Sequence, residues 1–178
     1  MLRTLSFGLI IFSVMLTHGF AQPNLPKPNF SSETYGSWSL ICPQTTNDDT
    51  PCQISQVVSS DPKGKKTILG ISVYYFGSTD KSAITFRLSP IAVREVGIGL
   101  KIDNGDEFRL PINECNKQVC IATGSMDKEM LTKFFNGTFC QLAFILPNRK
   151  QMTVPISLNG FEDAFKNLKT KVNAKNKI

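Results

Sequence analysis

Histidine is nearly missing from this chain. It occurs once in 178 residues, at His18, inside a segment that reads as a removable export signal. Without imidazole a protein has no base for Ser-His-Asp or Cys-His catalysis and lacks the commonest zinc ligand. The C-x-x-C spacing that would favour a zinc site is absent too. No Gly-rich loop follows a strand-like run, which excludes the usual phosphate cradles. Asp48-Asp49 and Glu162-Asp163 are neighbours in sequence, a solvated pattern and not an acid–base couple. Asp103-Asn104-Gly105-Asp106 lacks the ligand spacing and closing glutamate of a calcium loop. No apolar run reaches the roughly 20 residues of a membrane-spanning helix. Internal repeats and low-complexity tracts are also missing. These absences leave no catalytic residue, metal ligand or cofactor to name, and they point away from an enzyme.

What is present begins with an address. Met1-Leu2-Arg3 is followed by an apolar run from Leu5 to Leu16 and by Thr17-His18-Gly19-Phe20-Ala21. A basic start, a short apolar stretch and a small-x-small end form a signal peptide over residues 1–21. The chain is therefore expected in the periplasm or cell envelope, or surface-exposed or secreted, starting near Gln22. Residues 22–33 carry Pro23, Pro26 and Pro28 and read as an extended leader. Residues 34–169 form one domain, large enough for a real core. Residues 170–178 read as a basic, frayed tail. Lys166, Lys169, Lys171, Lys175 and Lys177 concentrate positive charge there, within a net charge of +6. Such a tail offers at most peripheral, salt-screened attraction to anionic membrane surfaces. Nucleic acid is not an expected partner, because the basic residues are not interleaved with aromatics. The partner expected is a protein or an envelope surface, possible host-cell surfaces included. The oligomeric state is not legible.

Five cysteines follow the signal: Cys42, Cys52, Cys115, Cys120 and Cys140. An oxidising compartment makes disulfides the default. Two bonds and one odd thiol allow fifteen arrangements, three pairings for each choice of odd cysteine. Local pairing, Cys42–Cys52 and Cys115–Cys120, is favoured because each pair brackets a short, turn-rich polar segment between strand-like runs. Each bridge would contribute roughly 2–3 kcal/mol, low in the usual range because the loops are short. Cys140 is left over. Alternation puts it with Leu142, Phe144 and Leu146 on one strand face, which favours a buried free thiol over an intermolecular bond.

The remaining pattern is mostly β. Thr34 to Cys42 reads as the first strand, with the lone tryptophan, Trp38, as a core anchor beside Leu40 and Cys42. Thr67 to Phe76 and Ser82 to Leu88 alternate, with Ile71, Val73, Tyr75, Ile84, Phe86 and Leu88 inward. Gly97 and Gly99 mark a bulge or corner within Ile91 to Gly99. Asn104-Gly105 predicts a hairpin turn before a strand from Glu107 to Ile112. A helix is predicted over Ser125 to Gly137, capped by Ser125 or Asp127, with Met130, Leu131, Phe134 and Phe135 as its apolar stripe. Two strands follow. A closing helix starts at Asn159 and buries Phe161, Ala164, Phe165 and Leu168, with Phe161 and Phe165 as core anchors.

Four stretches together resemble a known family. They are Trp38-Ser39-Leu40-Ile41-Cys42 with Cys52-Gln53-Ile54-Ser55-Gln56, Leu88-Ser89-Pro90-Ile91 through Gly97 to Asp103, Cys115 through Cys120-Ile121-Ala122, and Val154 to Phe161 with Ala164 and Leu168. In order and spacing the chain is similar to the invasion-associated locus B family of exported α-proteobacterial proteins. Cys140 and the corner at Ser89-Pro90 with Arg94-Glu95 depart from the family pattern. The resemblance implies an immunoglobulin-like antiparallel β-sandwich with two short helices, one closing the C-terminus. Its founding members are Bartonella virulence factors that promote entry into red blood cells. It therefore implies a non-enzymatic binding module aiding erythrocyte invasion. The alternative is a periplasmic structural or chaperone-like protein acting on a bacterial partner.

Overall fold

The computed structural model describes residues 29–44, 50–61, 63 and 65–175. The expected signal, residues 22–28 of the leader, residues 45–49 of the first cysteine loop and residues 176–178 lie outside them. Eleven strands and two α-helices follow in order: β1 (Phe30–Tyr35), β2 (Trp38–Pro43), β3 (Gln53–Ser59), β4 (Thr67–Phe76), β5 (Lys81–Leu88), β6 (Ile98–Ile102), β7 (Glu107–Leu110), β8 (Ile112–Cys115), β9 (Cys120–Met126), α1 (Lys128–Asn136), β10 (Phe139–Ile145), β11 (Gln151–Ser157) and α2 (Phe161–Lys175).

The strands build two open antiparallel sheets. The large sheet has the order β1-β2-β3-β4-β5-β9-β8 and the small one β11-β10-β6-β7. The alternation of large apolar side chains decides which faces meet. β4 buries Leu69, Ile71, Val73 and Tyr75, and β5 buries Ile84, Phe86 and Leu88. The small sheet answers with Ile98, Leu100, Cys140, Leu142, Val154 and Ile156. Each such aliphatic or aromatic side chain contributes about 1.5–3 kcal/mol on leaving water. The helices complete the same core. Phe161, Ala164, Phe165 and Leu168 of α2 and Phe134 of α1 are buried. Trp38 is fully buried, stands edge-on to Phe161 at 5.0 Å, and donates its indole N–H to the Ser157 carbonyl at 3.0 Å. The antiparallel β-sandwich with a C-terminal helix is thus the observed architecture.

Several boundaries need correction. The run Thr34 to Cys42 is not one strand: Gly36 takes φ +55° and turns the chain between β1 and β2. The leader over 22–33 is wrong at its end, because residues 30–33 belong to β1, an edge strand paired along its length with β2. The frayed tail over 170–178 is wrong at its start. α2 runs to Lys175, held there by the half-buried Val172 and by Lys171 paired with Glu33 at 2.9 Å. The strand Glu107 to Ile112 breaks at Pro111, where the chain leaves the small sheet for the large one. Asp127, not Ser125, caps α1, accepting the Met130 N–H at 2.8 Å. Gly160, with φ +83°, stands immediately before α2 in place of Asn159. Ile91 to Gly99 contains a single 3-10 turn, Arg94–Val96, before Gly97 at φ +75°.

Candidate functional site

The sandwich presents two features able to meet a partner. The first is the outer face of the large sheet. Its middle row is hydroxyl-bearing on six successive strands: Thr34 opposes Ser39, Ser39 opposes Ser55, Ser55 opposes Ser72, Ser72 opposes Thr85, and Thr85 opposes Thr123. At strand spacing this row runs about 24 Å across the sheet. Thr85 and Thr123 share a hydroxyl hydrogen bond of 3.1 Å, and Arg87 donates to Ser72 Oγ at 3.3 Å. The neighbouring rows carry Tyr74 and Ala83 on one side and Val57, Gly70, Arg87 and Ile121 on the other. The helices lie on the opposite face, where Phe161 and Phe165 meet Trp38 and Tyr75. Val57 is accordingly 61% exposed.

The second feature is a groove of about 940 Å³ where the β4–β5 hairpin, the end of β9, the start of α1 and the middle of α2 converge. Its floor is apolar: Tyr75, Met126, Leu131 and Phe165. Tyr75 and Phe165 meet edge-on at 6.2 Å. Above the tyrosine sits a small polar cluster. The Tyr75 hydroxyl donates to Asp80 Oδ1 at 2.9 Å, the Lys169 ammonium reaches the same oxygen at 3.0 Å, and Lys169 lies 4.8 Å from the Tyr75 ring centre. Lys169, then Tyr75, holds the Asp80 carboxyl below the ordinary aspartate range, and hydrogen bonding to Asp80 raises the Lys169 ammonium. Asp80 is exposed and adopts φ +50°, a conformation aspartate tolerates better than most residues. The hairpin tip also divides this groove from a smaller one of about 380 Å³, reached by Val172 and Phe76. Phe76 is 45% exposed between them.

The residues singled out from the sequence fall elsewhere. Cys42 is bonded to Cys52, joining the facing ends of β2 and β3, and Cys115 to Cys120, closing the β8–β9 corner. Cys140 is a buried free thiol, pushed up to about 12 mainly by loss of solvent. Trp38, Phe161 and Phe165 come together in one aromatic cluster with Phe134 and Phe135. Only Phe165 of these reaches the groove. Sequence reading missed the Tyr75–Asp80–Lys169 cluster, which joins residues 89 positions apart. It also missed the hydroxyl row, whose only trace is a Ser or Thr at an outward position in each of these six strands. Among the described residues no group of three or more His, Cys, Asp or Glu could hold a metal ion.

The family profile of invasion associated locus B protein matches residues 38–169. The chain belongs to the invasion associated locus B family. This is not a known enzyme family. The crystal structure of invasion associated protein B from Bartonella henselae superimposes with a TM-score of 0.68 at 20% sequence identity, covering 78% of this chain and 95% of that one. At that identity the likeness establishes a common fold. No curated protein matches the chain. The family match begins at Trp38 and ends at Lys169, so it omits β1 and the last turns of α2 that lie against each other.

Proposed function

We propose that this invasion associated locus B family member is an exported, envelope-associated, non-enzymatic binding module that promotes bacterial entry into host cells, erythrocytes among them. The observation that carries the binding role is the outer face of the large sheet, which no helix covers among the described residues and on which Thr34, Ser39, Ser55 and Thr123 of the in-register hydroxyl row stay accessible while Ser72 and Thr85 are buried. The accessible hydroxyls offer hydrogen bonds at little cost in side-chain entropy. The two disulfides accord with an oxidising compartment outside the cytoplasm, and the signal-like start of the sequence accords with export. The lack of histidine beyond position 18 supports a role without catalysis.

The test is entry itself. A strain lacking the gene is complemented with the natural chain or with a Ser55→Arg/Thr123→Arg variant that crowds the row, and intracellular bacteria are counted after exposure to erythrocytes. The natural chain restores entry, and the crowded variant, exported at equal level, does not. Full restoration by the variant would sink the outer-face reading. Protease shaving of intact cells addresses location: loss of the protein places it outside, and protection leaves it in the periplasm. One observation favours a second reading, a periplasmic chaperone-like protein acting on a bacterial partner. It is the edge of β9 beyond Ala122, beside which no strand is paired among the described residues.

A further inference from the structure

Unpaired positive charge collects at one end of the sandwich. Val58, Leu69, Leu88, Cys120 and Cys115 form one row across the large sheet. Three connections leave beyond that row: the β3–β4 turn over 60–66, the β5–β6 connection over 89–97 and the β8–β9 corner over 116–119. The second of these crosses to the small sheet, where Val93 donates its N–H to the Ile145 carbonyl at 2.8 Å. That bond sets it beside the β10–β11 turn over 146–150. Lys63, Lys65, Lys66, Lys117, Arg149 and Lys150 stand exposed on these segments. None of them is in an ion pair among the described residues.

Little at this end opposes them. Asp61 spends both carboxylate oxygens on its own turn, accepting the N–H groups of Lys63, Lys65 and Lys66 at 3.0, 3.2 and 2.7 Å. Asn116 and Asn148 hold the other two cationic turns in the same way, each side-chain oxygen accepting main-chain N–H groups within its turn. Glu95 and Glu114 are the remaining carboxylates, and Arg94 stands next to the first. The far end has the opposite balance, with Asp80, Asp103, Asp106 and Asp127 against Lys81 and Lys128. The lysines of α2 differ as well: Lys166, Lys169 and Lys171 are each tied to a carboxylate. Amid the cationic turns, the β5–β6 connection exposes two aliphatic side chains, Ile91 at 48% and Val96 at 42%.

We infer that this end of the sandwich docks on a bilayer bearing anionic phospholipid, the six cations facing the headgroups and Ile91 and Val96 entering the interface between them. Basic residues near an anionic leaflet are drawn to its surface potential, and apolar side chains beside them gain by leaving water. A soluble polyanion would meet the charge but leave Ile91 and Val96 in water, which is why a bilayer fits this end better. The turns are already held by Asp61, Asn116 and Asn148, so little ordering is left to oppose binding. Docked this way, the strands stand on the membrane and the hydroxyl row on the flank of the large sheet stays free. The inference uses a different surface from that row and holds whether or not the chain takes part in host-cell entry.

The experiment is vesicle flotation of residues 22–178, which carry every element of the described fold. Residues 1–21 are left off because their apolar run would enter vesicles by itself. The vesicles are phosphatidylcholine alone or with about one-third phosphatidylglycerol. The chain floats with the anionic vesicles at about 50 mM salt, stays behind with the neutral ones, and is released at about 0.5 M. Lys63→Gln/Lys65→Gln/Lys66→Gln weakens binding about a hundredfold, roughly fivefold for each lysine near the surface. Lys81→Gln/Lys101→Gln/Lys128→Gln removes the same charge away from this end and changes binding by less than about threefold. Trp38 is fully buried and stays silent, so Ile91→Trp reports the contact. Its emission shifts to the blue on anionic vesicles, and that of Val57→Trp on the outer face of the large sheet does not. The proposal is overturned if the chain fails to float with anionic vesicles, if neutral vesicles bind it as well, or if the two lysine triples weaken binding equally. A shift of Val57→Trp without one of Ile91→Trp would overturn it in favour of the outer face. Binding of heparin, with Ile91→Trp unshifted on anionic vesicles, would overturn it in favour of a soluble polyanion.

Discussion

Gly160→Ala is a substitution whose effect can be worked out from the main-chain contacts around it. Gly160 has φ +83° and precedes α2. A methyl group there would meet main-chain atoms of the β1–β2 turn: the Tyr35 carbonyl oxygen, the Tyr35 carbonyl carbon at 2.5 Å and the Gly36 nitrogen at 2.9 Å. None of these can swing aside as a side chain could. The left-handed backbone alone costs a non-glycine residue about 1 kcal/mol. Relief of the clash must push the β1–β2 turn away from α2. That stretches the Ser37 N–H to Asn159 carbonyl bond of 3.0 Å, a loss of about 1 kcal/mol, and strains the Trp38–Phe161 contact by about 1–3 kcal/mol, the usual range for overpacking. The expected loss is about 3–5 kcal/mol, a lowering of the melting temperature by roughly 10 °C for a domain of this size. Circular dichroism melts and urea titrations of both proteins measure it. Gly105→Ala is the control, since its methyl would touch only the Ile102 carbonyl at 3.1 Å. Gly36→Ala attacks the same junction from the other side, meeting the Asn159 carbonyl oxygen at 2.6 Å, so the double variant should lose less than the two singles together. A Gly160→Ala protein melting within about 2 °C of the natural one would refute the reasoning.

Other expectations are simpler. Trp38→Phe loses one hydrogen bond, but the Ser157 carbonyl keeps the Gln56 amide at 2.9 Å. It should therefore cost about 1–2 kcal/mol against about 3–5 for Phe161→Ala in urea titration. Replacing Cys42 and Cys52 by serine should cost about 2.7 kcal/mol, and replacing Cys115 and Cys120 about 2, from the smaller loop closed by five residues rather than ten. Reversed order in urea midpoints would contradict that account. Cys140 should resist iodoacetamide at pH 8 in the native protein and react fully in guanidinium, since burial withholds the thiolate. Asp80, lowered by Lys169 and Tyr75, stabilises the fold above the ordinary aspartate pKa and loses that contribution as pH falls through its lower folded value. Asp80→Asn should therefore narrow the stability gap between neutral pH and about pH 2–3, and an unchanged acid limb would count against the cluster.

Alternation made much of the sandwich readable. In β4 and β5 the apolar residues at every second position, Leu69 to Tyr75 and Ile84 to Leu88, are buried, with Ser72, Ser82 and Thr85 buried as well. The aromatic and aliphatic spacing of α2 likewise marks the face that packs. β1 was unreadable for the opposite reason. Phe30-Ser31-Ser32-Glu33-Thr34-Tyr35 is an edge strand with almost no buried side chain, so hydrophobic periodicity has nothing to record. The last turns of α2 were hidden by their lysines, whose charges suggest a solvated tail while Lys171 is in fact tied to Glu33. The break at Pro111 depends on which sheet each half joins, a matter of long-range register. The groove is further from the sequence still. Tyr75, Asp80, Leu131 and Lys169 belong to four different elements or turns and share no local pattern.

The contact between Glu33 and Lys171 places the first strand and the last helix side by side. Tension applied between Phe30 and Lys175 would therefore load one corner of the molecule and not the sandwich as a whole. β1 leans on a single neighbour, β2, and on α2. Under load it should peel first, residue by residue, while the fully buried Trp38 at the start of β2 resists the next step and the Cys42–Cys52 bridge at the far end of β2 bounds any further tear. The molecule would then yield as a tether that lengthens by one strand and holds, with the hydroxyl row from Ser39 to Thr123 intact behind Trp38.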